Sequence, residues 1–415
     1  MADLYVIING QIAAEVTRTN SREAELEYRP QWEGVPLSTS LPATRRRHSA
    51  AAVTPYLWGL LPDNDNVIQR WAREARVSAT DIVGLLAAVG EDVAGAAQYV
   101  PAGAENEASQ PGTIEYLSKR EVAELVGAVA ADTNVWHRAP TGKHVGRWSL
   151  AGAQGKLALA FDARKGWGIP HGAAPTTHII KPATDGLDDH DLNEHLCLAA
   201  ANKLGIRAAE SVVKEFDGVR ALVVSRYDRT TEPPIRRIHQ EDMCQALGLH
   251  PSKKYESDGG PSAGDIARHL GEVSSNPDAD RRRFAEALLF NWLIIGTDAH
   301  AKNYSLLLSG TSARLAPLYD IASVLPYGEH PKKCRLAMKI AGSYKPTDLG
   351  ATHWRRAAGE IGVDSDWIVE RGAQFCFELP DALSEAATAT GLDAAGKIVA
   401  TMMDWIRQCA VRLGS

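Results

Sequence analysis

A long apolar run in the last third of the chain places the strongest constraint on its fold. From Phe284 to Ile295 the sequence reads Phe-Ala-Glu-Ala-Leu-Leu-Phe-Asn-Trp-Leu-Ile-Ile, which toward its end is apolar on nearly all sides of a helix. A helix of that kind belongs in a domain core. The run therefore predicts a C-terminal part built from helices around residues 280–295. Further helices are predicted there at 351–361, 364–374, 380–388 and 395–412.

The chain upstream of this helix mixes strands with helices. Residues 4–16 predict a hairpin that turns at Asn9-Gly10, a strong two-residue turn signal, and residues 101–112 are typical of a loop or linker. Strands are predicted at 156–161, 177–181 and 220–224, with a helix over 192–204. We therefore expect an α+β enzyme of bilobal plan, with a mixed α/β N-terminal lobe and a helical C-terminal lobe. The predicted segments are 1–125, 126–238 and 239–415.

Bulk composition argues against several classes of protein. The 415-residue chain has a net charge of −6, whereas nucleic-acid binders usually carry a basic excess. Its densest N-terminal basic run, residues 45–48, is interpreted as a solvated loop. Five widely spaced cysteines without a CxxC pair argue against a disulfide framework or a zinc site. We expect a cytoplasmic protein without membrane contact, because neither a signal-peptide pattern nor an apolar run of about 18–20 residues is present.

The sharpest local signal is Asp298 followed five positions later by Asn303. Protein-kinase catalytic loops carry this pair, in which the Asp accepts the substrate hydroxyl proton and the Asn binds magnesium. A hairpin predicted over 304–318 starts and ends on one side, so it returns Asp320 to the neighbourhood of Asn303. The pattern predicts a magnesium site at Asn303 and Asp320 with Asp298 free as the base. The alternative is that Asp298 caps a helix and Asp320 begins a turn.

His300 and Lys302 lie in the same loop. Either side chain is a candidate to contact the γ-phosphate or the substrate, and a structural hydrogen-bonding role is the alternative for His300.

A glycine loop and a strand lysine predict a place for ATP. The stretch Ser-Leu-Ala-Gly-Ala-Gln-Gly-Lys, residues 149–156, enters a predicted strand, and its N–H groups can cradle phosphates. A plain hairpin loop is the alternative. Lys181 shares a strand face with Ile179, where a lysine needs a charged partner or a ligand phosphate. Kinases pair such a lysine with a helix glutamate, and Glu194 is the candidate; otherwise Lys181 ends its strand in solvent.

Together these residues resemble the HipA family of serine/threonine kinases, the toxin halves of HipBA-type toxin–antitoxin modules. The resemblance covers nearly the whole chain and implies a protein-kinase-like fold with an all-helical C-terminal lobe. The motifs that carry it are LSTSLP (37–42), GLLPD (59–63), GEDVAGA (90–96), SLAGAQGK (149–156), PTTHIIK (175–181), NE (193–194), QEDMCQ (240–245), KYESDGGP (254–261), DAHAKN (298–303) and YDI (319–321).

The resemblance implies a role for each candidate residue. Asp298 would be the catalytic base, Asn303 and Asp320 would hold Mg²⁺, and Lys181 would contact the ATP phosphates. Ser149 would be an autophosphorylation site whose phosphate ejects the neighbouring loop. That phosphate-binding loop would include Ala151, Gly152, Ala153, Gln154 and Gly155, and the adenine hinge would include Ser225 and Tyr227. The family usually has Glu at positions 155 and 225, so here loop rigidity and adenine contacts depart from the usual pattern.

The implied substrates are proteins, notably aminoacyl-tRNA synthetases, whose phosphorylation would stall translation and arrest growth. The implied partner is a HipB-like helix-turn-helix antitoxin, through which contact with DNA would be mainly indirect. Three alternatives stay open: a catalytically silent regulator that binds ATP or an antitoxin, a metal phosphohydrolase built on Asp298, His300 and Asp320, and a small-molecule kinase.

Overall fold

The chain forms two compact units. The computed structural model describes residues 2–108, 110–132, 148–152, 154–183 and 187–414. The first unit comprises residues 1–184, 214–251 and 307–311, and the second comprises 185–213, 252–306 and 312–415. This division does not test the expected segment boundaries near residues 125 and 238, which stay a prediction.

An antiparallel five-stranded sheet opens the first unit. Its strands are β1 (Leu4–Ile8), β2 (Gln11–Arg18), β3 (Ala24–Tyr28), β4 (Arg47–His48) and β5 (Ala97–Pro101). They lie in the order β4-β3-β2-β1-β5. The predicted hairpin is confirmed, since β1 pairs antiparallel with β2. At its turn Asn9 and Gly10 have φ angles of 50° and 79°, the left-handed conformations that this dipeptide favours.

A second sheet of six strands holds the three strands predicted from the sequence. It contains β6 (Thr113–Tyr116), β7 (Leu157–Asp162), β8 (Gly166–His171), β9 (His178–Pro182), β10 (Ser211–Phe216) and β11 (Val219–Ser225). The order is β10-β11-β9-β7-β8-β6. The predicted strands are β7, β9 and β11, and they are adjacent at the centre. The loop that enters β7 therefore lies beside the end of β9 that carries Lys181.

Short helices complete the first unit. They are α1 (Ala50–Trp58), α2 (Asp65–Ala75), α3 (Ile82–Val89), α4 (Glu105–Ala108), α5 (Lys119–Ala131) and, after strand β12 (His239–Asp242), α7 (Met243–Ala246). One hydrophobic core joins both sheets with α1, α2, α3 and α5. The loop expected at 101–112 is only partly correct, because it contains α4.

The second unit is mainly helical, as predicted. Its helices are α6 (His190–Lys203), α8 (Ala263–Val273), α9 (Pro277–Ile294), α10 (Ala351–Ile361), α11 (Ser365–Thr390) and α12 (Asp393–Leu413). The apolar run forms α9, whose Trp292 is fully buried. Its ring centroid lies 5.5 Å from that of Trp354 and 6.3 Å from that of Trp405. The prediction of a buried core helix is confirmed.

Two details of the helical part differ from expectation. The helices predicted at 364–374 and 380–388 are the single helix α11, with Pro380 inside it. Proline normally interrupts a helix, but here a continuous row of buried residues, including Phe375, Leu379 and Leu383, holds both halves in one core. The strands β13 (Ser305–Ser309) and β14 (Ser312–Leu315) form the predicted hairpin, so this part of the chain is not helical throughout. The α+β fold class is confirmed. Within the described ranges, none of the helices combines the length and apolar character needed to span a membrane.

Candidate active site

The end of α9 delivers Asp298 to the surface. Ile295 adopts a left-handed φ of 52°, and Gly296 N donates to Asn291 O at 2.7 Å. A Cβ atom on Gly296 would lie 2.2 Å from Asn291 Oδ1, so a larger residue here would have to displace the buried Asn291 side chain. Two residues later the Asp298 side chain is 67% exposed. A surface carboxylate directly after a rigid core helix is well placed to meet a macromolecular substrate.

Asn303 folds back onto Asp298. Its Nδ2 donates to Asp298 O at 2.7 Å, and His300 N donates to the same carbonyl oxygen at 2.8 Å. Because the amide nitrogen is used in this bond, Asn303 Oδ1 is the atom left to ligate a hard cation.

Asp320 follows a segment that runs beside the Asn303 loop. Ala316 N donates to Ser305 O at 2.8 Å, and Tyr319 Oη donates to Lys302 O at 2.6 Å. The hairpin thus brings residues 316–319 alongside residues 302–305, as the sequence predicted. Asp320 itself has a left-handed φ of 57°, a strained conformation of the kind found at functional sites.

Helix α6 fixes the chain after Asp320. Asn193 Nδ2 donates to Ser323 O at 2.7 Å, and Ser323 N donates to Asn193 Oδ1 at 3.1 Å. Both residues are buried. This paired contact gives Asn193 a role in placing the Asp320 turn.

Among the described residues, no group of three or more His, Cys, Asp or Glu side chains is placed to hold a metal ion. Asn303 and Asp320 as the residues that hold Mg²⁺ stay a prediction; Mg²⁺ keeps several waters and is typically held by one or two carboxylates together with substrate phosphates.

His300 and Lys302 lie within the loop rather than on its surface. Each is 4% exposed. The His300 ring packs edge-on against Tyr255, with 4.9 Å between the ring centroids. The packing gives the His300 ring a structural contact, while its hydrogen-bonding role and phosphate contacts by either residue stay predictions.

Tyr255 was not singled out by the sequence reasoning. Its hydroxyl donates to Asp298 Oδ1, and it belongs to the KYESDGGP motif at 254–261. That motif was its only sequence signal, because nothing in the residue types links it to an aspartate so distant in the chain.

The predicted phosphate loop lies in the first unit and is anchored at its start and near its centre. Ser149 N donates to Asp92 O at 2.9 Å and Ser149 Oγ to Leu60 O at 2.8 Å. Asp63 N donates to Gly152 O at 3.1 Å. Ser149 is fully buried. Ala153 of the predicted loop lies outside the described residues.

The centre of this loop is shaped by Gly152. Its φ of +106° is one that L side chains rarely adopt, and a Cβ atom there would lie 2.7 Å from Lys156 Nζ. Lys156 Nζ in turn donates to Ala151 O at 2.6 Å, and Gln154 Nε2 lies 3.5 Å from Pro182 O. The positive φ explains why glycine suits position 152, and phosphate binding by this loop stays a prediction.

Lys181 is buried on β9, with 6% of its surface exposed. It pairs with Leu222 of β11, whereas Ser225 pairs with His178. Positions 222 and 225 are three apart, so the Ser225 side chain points to the sheet face opposite Lys181. Any contact of Ser225 with a ligand on the Lys181 face must use backbone atoms. Glu194 belongs to the second unit, and its pairing with Lys181 stays a prediction.

Charged side chains on both sides of half-buried Tyr227 in the chain form a buried cluster with Asp92 and Arg237. Arg226 binds Asp228 through Nε and Nη2 at 3.0 and 2.7 Å. Asp92 Oδ1 accepts from Arg229 Nη2 at 2.7 Å and from Arg237 Nε at 3.0 Å. The GEDVAGA motif thus reaches the hinge segment, a link that the sequence reasoning did not foresee.

Most of the chain is similar to known protein families and to proteins that carry a name. The family model of the HipA-like C-terminal domain matches residues 148–383, and that of the HipA N-terminal domain matches residues 4–100. A Sinorhizobium fredii protein named "Putative kinase Y4mE" is 32% identical over 366 residues, which cover 87% of this chain and 86% of that protein. The serine/threonine-protein kinase toxin HipA of Shewanella oneidensis is 28% identical over 375 residues, covering 87% and 83%.

A solved structure extends the similarity to the fold. The Shewanella oneidensis complex of HipA, HipB and operator DNA contains a chain that matches with a TM-score of 0.85 and 26% identity, over 99% of this chain and 97% of that one. The kinase-like fold expected from the sequence is therefore confirmed. The chain belongs to the HipA family of serine/threonine protein kinases.

Proposed function

We propose that this kinase transfers the γ-phosphate of ATP to a serine or threonine of a protein and acts as a HipA-like toxin, with Asp298 as its catalytic base. The observation that carries the proposal is the Asp298 loop. Asn303 Nδ2 and His300 N both fix the Asp298 carbonyl, at 2.7 and 2.8 Å, while the carboxylate stays exposed.

Four residues of the second unit have defined roles in the proposed reaction. Asp298 accepts the proton of the acceptor hydroxyl. At the same time the hydroxyl oxygen forms a bond to the γ-phosphorus of ATP, and the bond between that phosphorus and the β,γ-bridging oxygen breaks, which releases ADP. Asn303 Oδ1 and the Asp320 carboxylate would hold Mg²⁺. When bound, this ion neutralises charge on the phosphates and orients them. Asn193 keeps the Asp320 turn in place.

The first unit would bind ATP. Residues 150–155 offer backbone N–H groups to the phosphates, and Lys181 supplies a buried positive charge. The backbone at Ser225 and Tyr227 would frame adenine. The shape imposed by Gly152 and the burial of Lys181 support this assignment.

Ser149 is the proposed autophosphorylation site. A phosphate adds about two negative charges, and the Ser149 hydroxyl is at present a buried donor to a carbonyl oxygen. Phosphorylated Ser149 must leave this position, and the loop with it. ATP binding would then be lost.

The similarity to a chain from a HipA–HipB–DNA complex supports a HipB-like antitoxin as partner. We propose that this antitoxin is a helix-turn-helix protein and that both proteins act in the cytoplasm. DNA would be contacted mainly through that antitoxin. We propose an aminoacyl-tRNA synthetase as the protein substrate, so that phosphorylation stalls translation and arrests growth.

Intact mass and phosphoproteomics test the proposal together. The purified chain with ATP and Mg²⁺ should gain one phosphate, located at Ser149. Cells expressing it should stop growing and accumulate a phosphorylated synthetase, whereas the Asp298→Asn variant should do neither. ATP binding without phosphate transfer would instead favour a silent regulator. Phosphate release without a phosphorylated protein would favour a hydrolase, and ADP formation stimulated only by a metabolite fraction would favour a small-molecule kinase.

A further inference from the structure

The Asp298 carboxylate is held by a tyrosine that has no counterpart among the expected kinase residues. Tyr255 donates its hydroxyl to Asp298 Oδ1, and its ring packs edge-on against His300 at an interplanar angle of 83°. Ala301 N donates to Lys254 O at 3.1 Å. The tyrosine segment is thus attached to the catalytic loop through backbone, ring and hydroxyl.

The segment that carries Tyr255 is itself firmly anchored. Glu256 Oε2 accepts from Lys339 N at 2.6 Å, and Glu256 Oε1 lies 3.4 Å from Lys339 Nζ. The loop closes tightly at Gly260, where a Cβ atom would lie 2.2 Å from Lys253 O. A side chain on such a segment keeps its direction, which is what precise placement of a reacting group requires.

Asp298 needs that support because most of its side chain is exposed. Its backbone is fixed by two hydrogen bonds, but the carboxylate is 67% exposed, and an exposed side chain samples several rotamers. A base contributes fully only when it meets the proton in a near-attack geometry.

We propose that Tyr255 is a positioning residue for phosphoryl transfer. It holds Oδ1 of Asp298 and so directs the other carboxylate oxygen toward the acceptor hydroxyl. This assignment rests on the proposed function, in which Asp298 is the base. The acceptor hydroxyl would then meet Oδ2 of Asp298 rather than Oδ1.

Tyr255→Phe removes only the hydroxyl and keeps the ring against His300. The test compares parent, Tyr255→Phe and a control, Tyr116→Phe, which removes a hydroxyl from the first unit. Autophosphorylation is followed by intact mass at increasing ATP. We expect the rate at saturating ATP to fall about tenfold or more in Tyr255→Phe. Half-saturating ATP and the unfolding temperature should match the parent, and Tyr116→Phe should behave as the parent throughout.

Three outcomes would overturn the assignment. A Tyr255→Phe rate equal to the parent's would show that the hydroxyl does not position Asp298. A faster rate would show that it blocks the acceptor instead. A lower rate accompanied by a lower unfolding temperature would show a role in folding only. Absence of phosphate transfer by the parent would overturn the proposed function, whereas an active parent matched in rate by Tyr255→Phe would overturn only this assignment.

Discussion

Asp92 accepts a hydrogen bond from the guanidinium of Arg229 at 2.7 Å, and both side chains are buried. Burial alone raises the pKa of the Asp92 carboxyl, but the charges of Arg229, Arg237 and Arg226 outweigh it and hold the pKa below its ordinary value. The carboxylate therefore stays ionised. The Asp92 carboxylate links the GEDVAGA motif to the chain that follows β11. The backbone carbonyl of Asp92 also accepts a hydrogen bond from Ser149 N.

Replacing Asp92 with Asn should destabilise the protein strongly, because Arg229 and Arg237 would lose their shared counter-charge while remaining buried. Breaking a buried ion pair from one side costs about 3–5 kcal/mol. Urea unfolding measures the loss. Asp217→Asn makes the same chemical change at an exposed turn with φ of 50°, and its free energy of unfolding should match the parent's. Equal stability of parent and Asp92→Asn would show that the cluster is not a stabilising element.

Two Ser149 variants should distinguish loss of the hydroxyl from introduction of a negative charge at this position. Ser149→Ala removes one buried hydrogen bond, at a cost of about 1 kcal/mol, and should retain ATP binding. Ser149→Asp places a carboxylate against Leu60 O, so the loop should leave its position and ATP affinity should fall more than about tenfold. Calorimetric titration with ATP measures both. Parent-like affinity in Ser149→Asp would contradict the docking account.

Glu241 should make stability depend on pH. Burial raises the pKa of its carboxyl to about 7 from 4.5, and bonds from Ser38 and Thr39 offset this only in part. At pH values between 4.5 and about 7, the Glu241 carboxyl holds a proton in the folded protein and has released it in the unfolded chain. Its contribution to stability therefore falls as pH rises through this window and is constant above it. The decline attributable to Glu241 is at most about 3 kcal/mol.

Urea unfolding of parent and Glu241→Gln from about pH 5 to about pH 8 isolates this effect. The stability of the parent relative to the variant should decrease across the series, and Glu25→Gln, an exposed glutamate, should track the parent. A constant difference between parent and Glu241→Gln would mean that Glu241 titrates at an ordinary pH in the folded protein.

Sequence patterns predicted the elements whose signal is local. The apolar run of α9, the Asn9-Gly10 hairpin and the strands β7, β9 and β11 follow directly from periodicity and turn chemistry. The prediction of two helices in place of α11 was wrong, because it assumed that Pro380 interrupts the helix. Burial of residues on both sides of Pro380 keeps the helix continuous.

Contacts between residues distant in the chain could not be predicted from the sequence. The spacing of Asp298 and Asn303 suggested a site, and the hairpin predicted that Asp320 returns toward it. Nothing local links Tyr255 to Asp298 or Asp92 to Arg229, because each contact depends on how separate elements pack. The side-chain direction of Ser225 likewise required the β9–β11 register.

The role of Asp298 as the catalytic base is tested most directly by the rate of phosphate transfer by Asp298→Asn. Purified parent and variant are incubated with ATP and Mg²⁺, phosphate on the protein is measured by intact mass, and ATP affinity is measured separately. Asp404→Asn, which changes an 83% exposed side chain, serves as the control. We expect Asp298→Asn to lose about 10²–10⁴-fold in rate with unchanged ATP affinity and unfolding temperature. Phosphate transfer by Asp298→Asn at the parent rate would contradict the account.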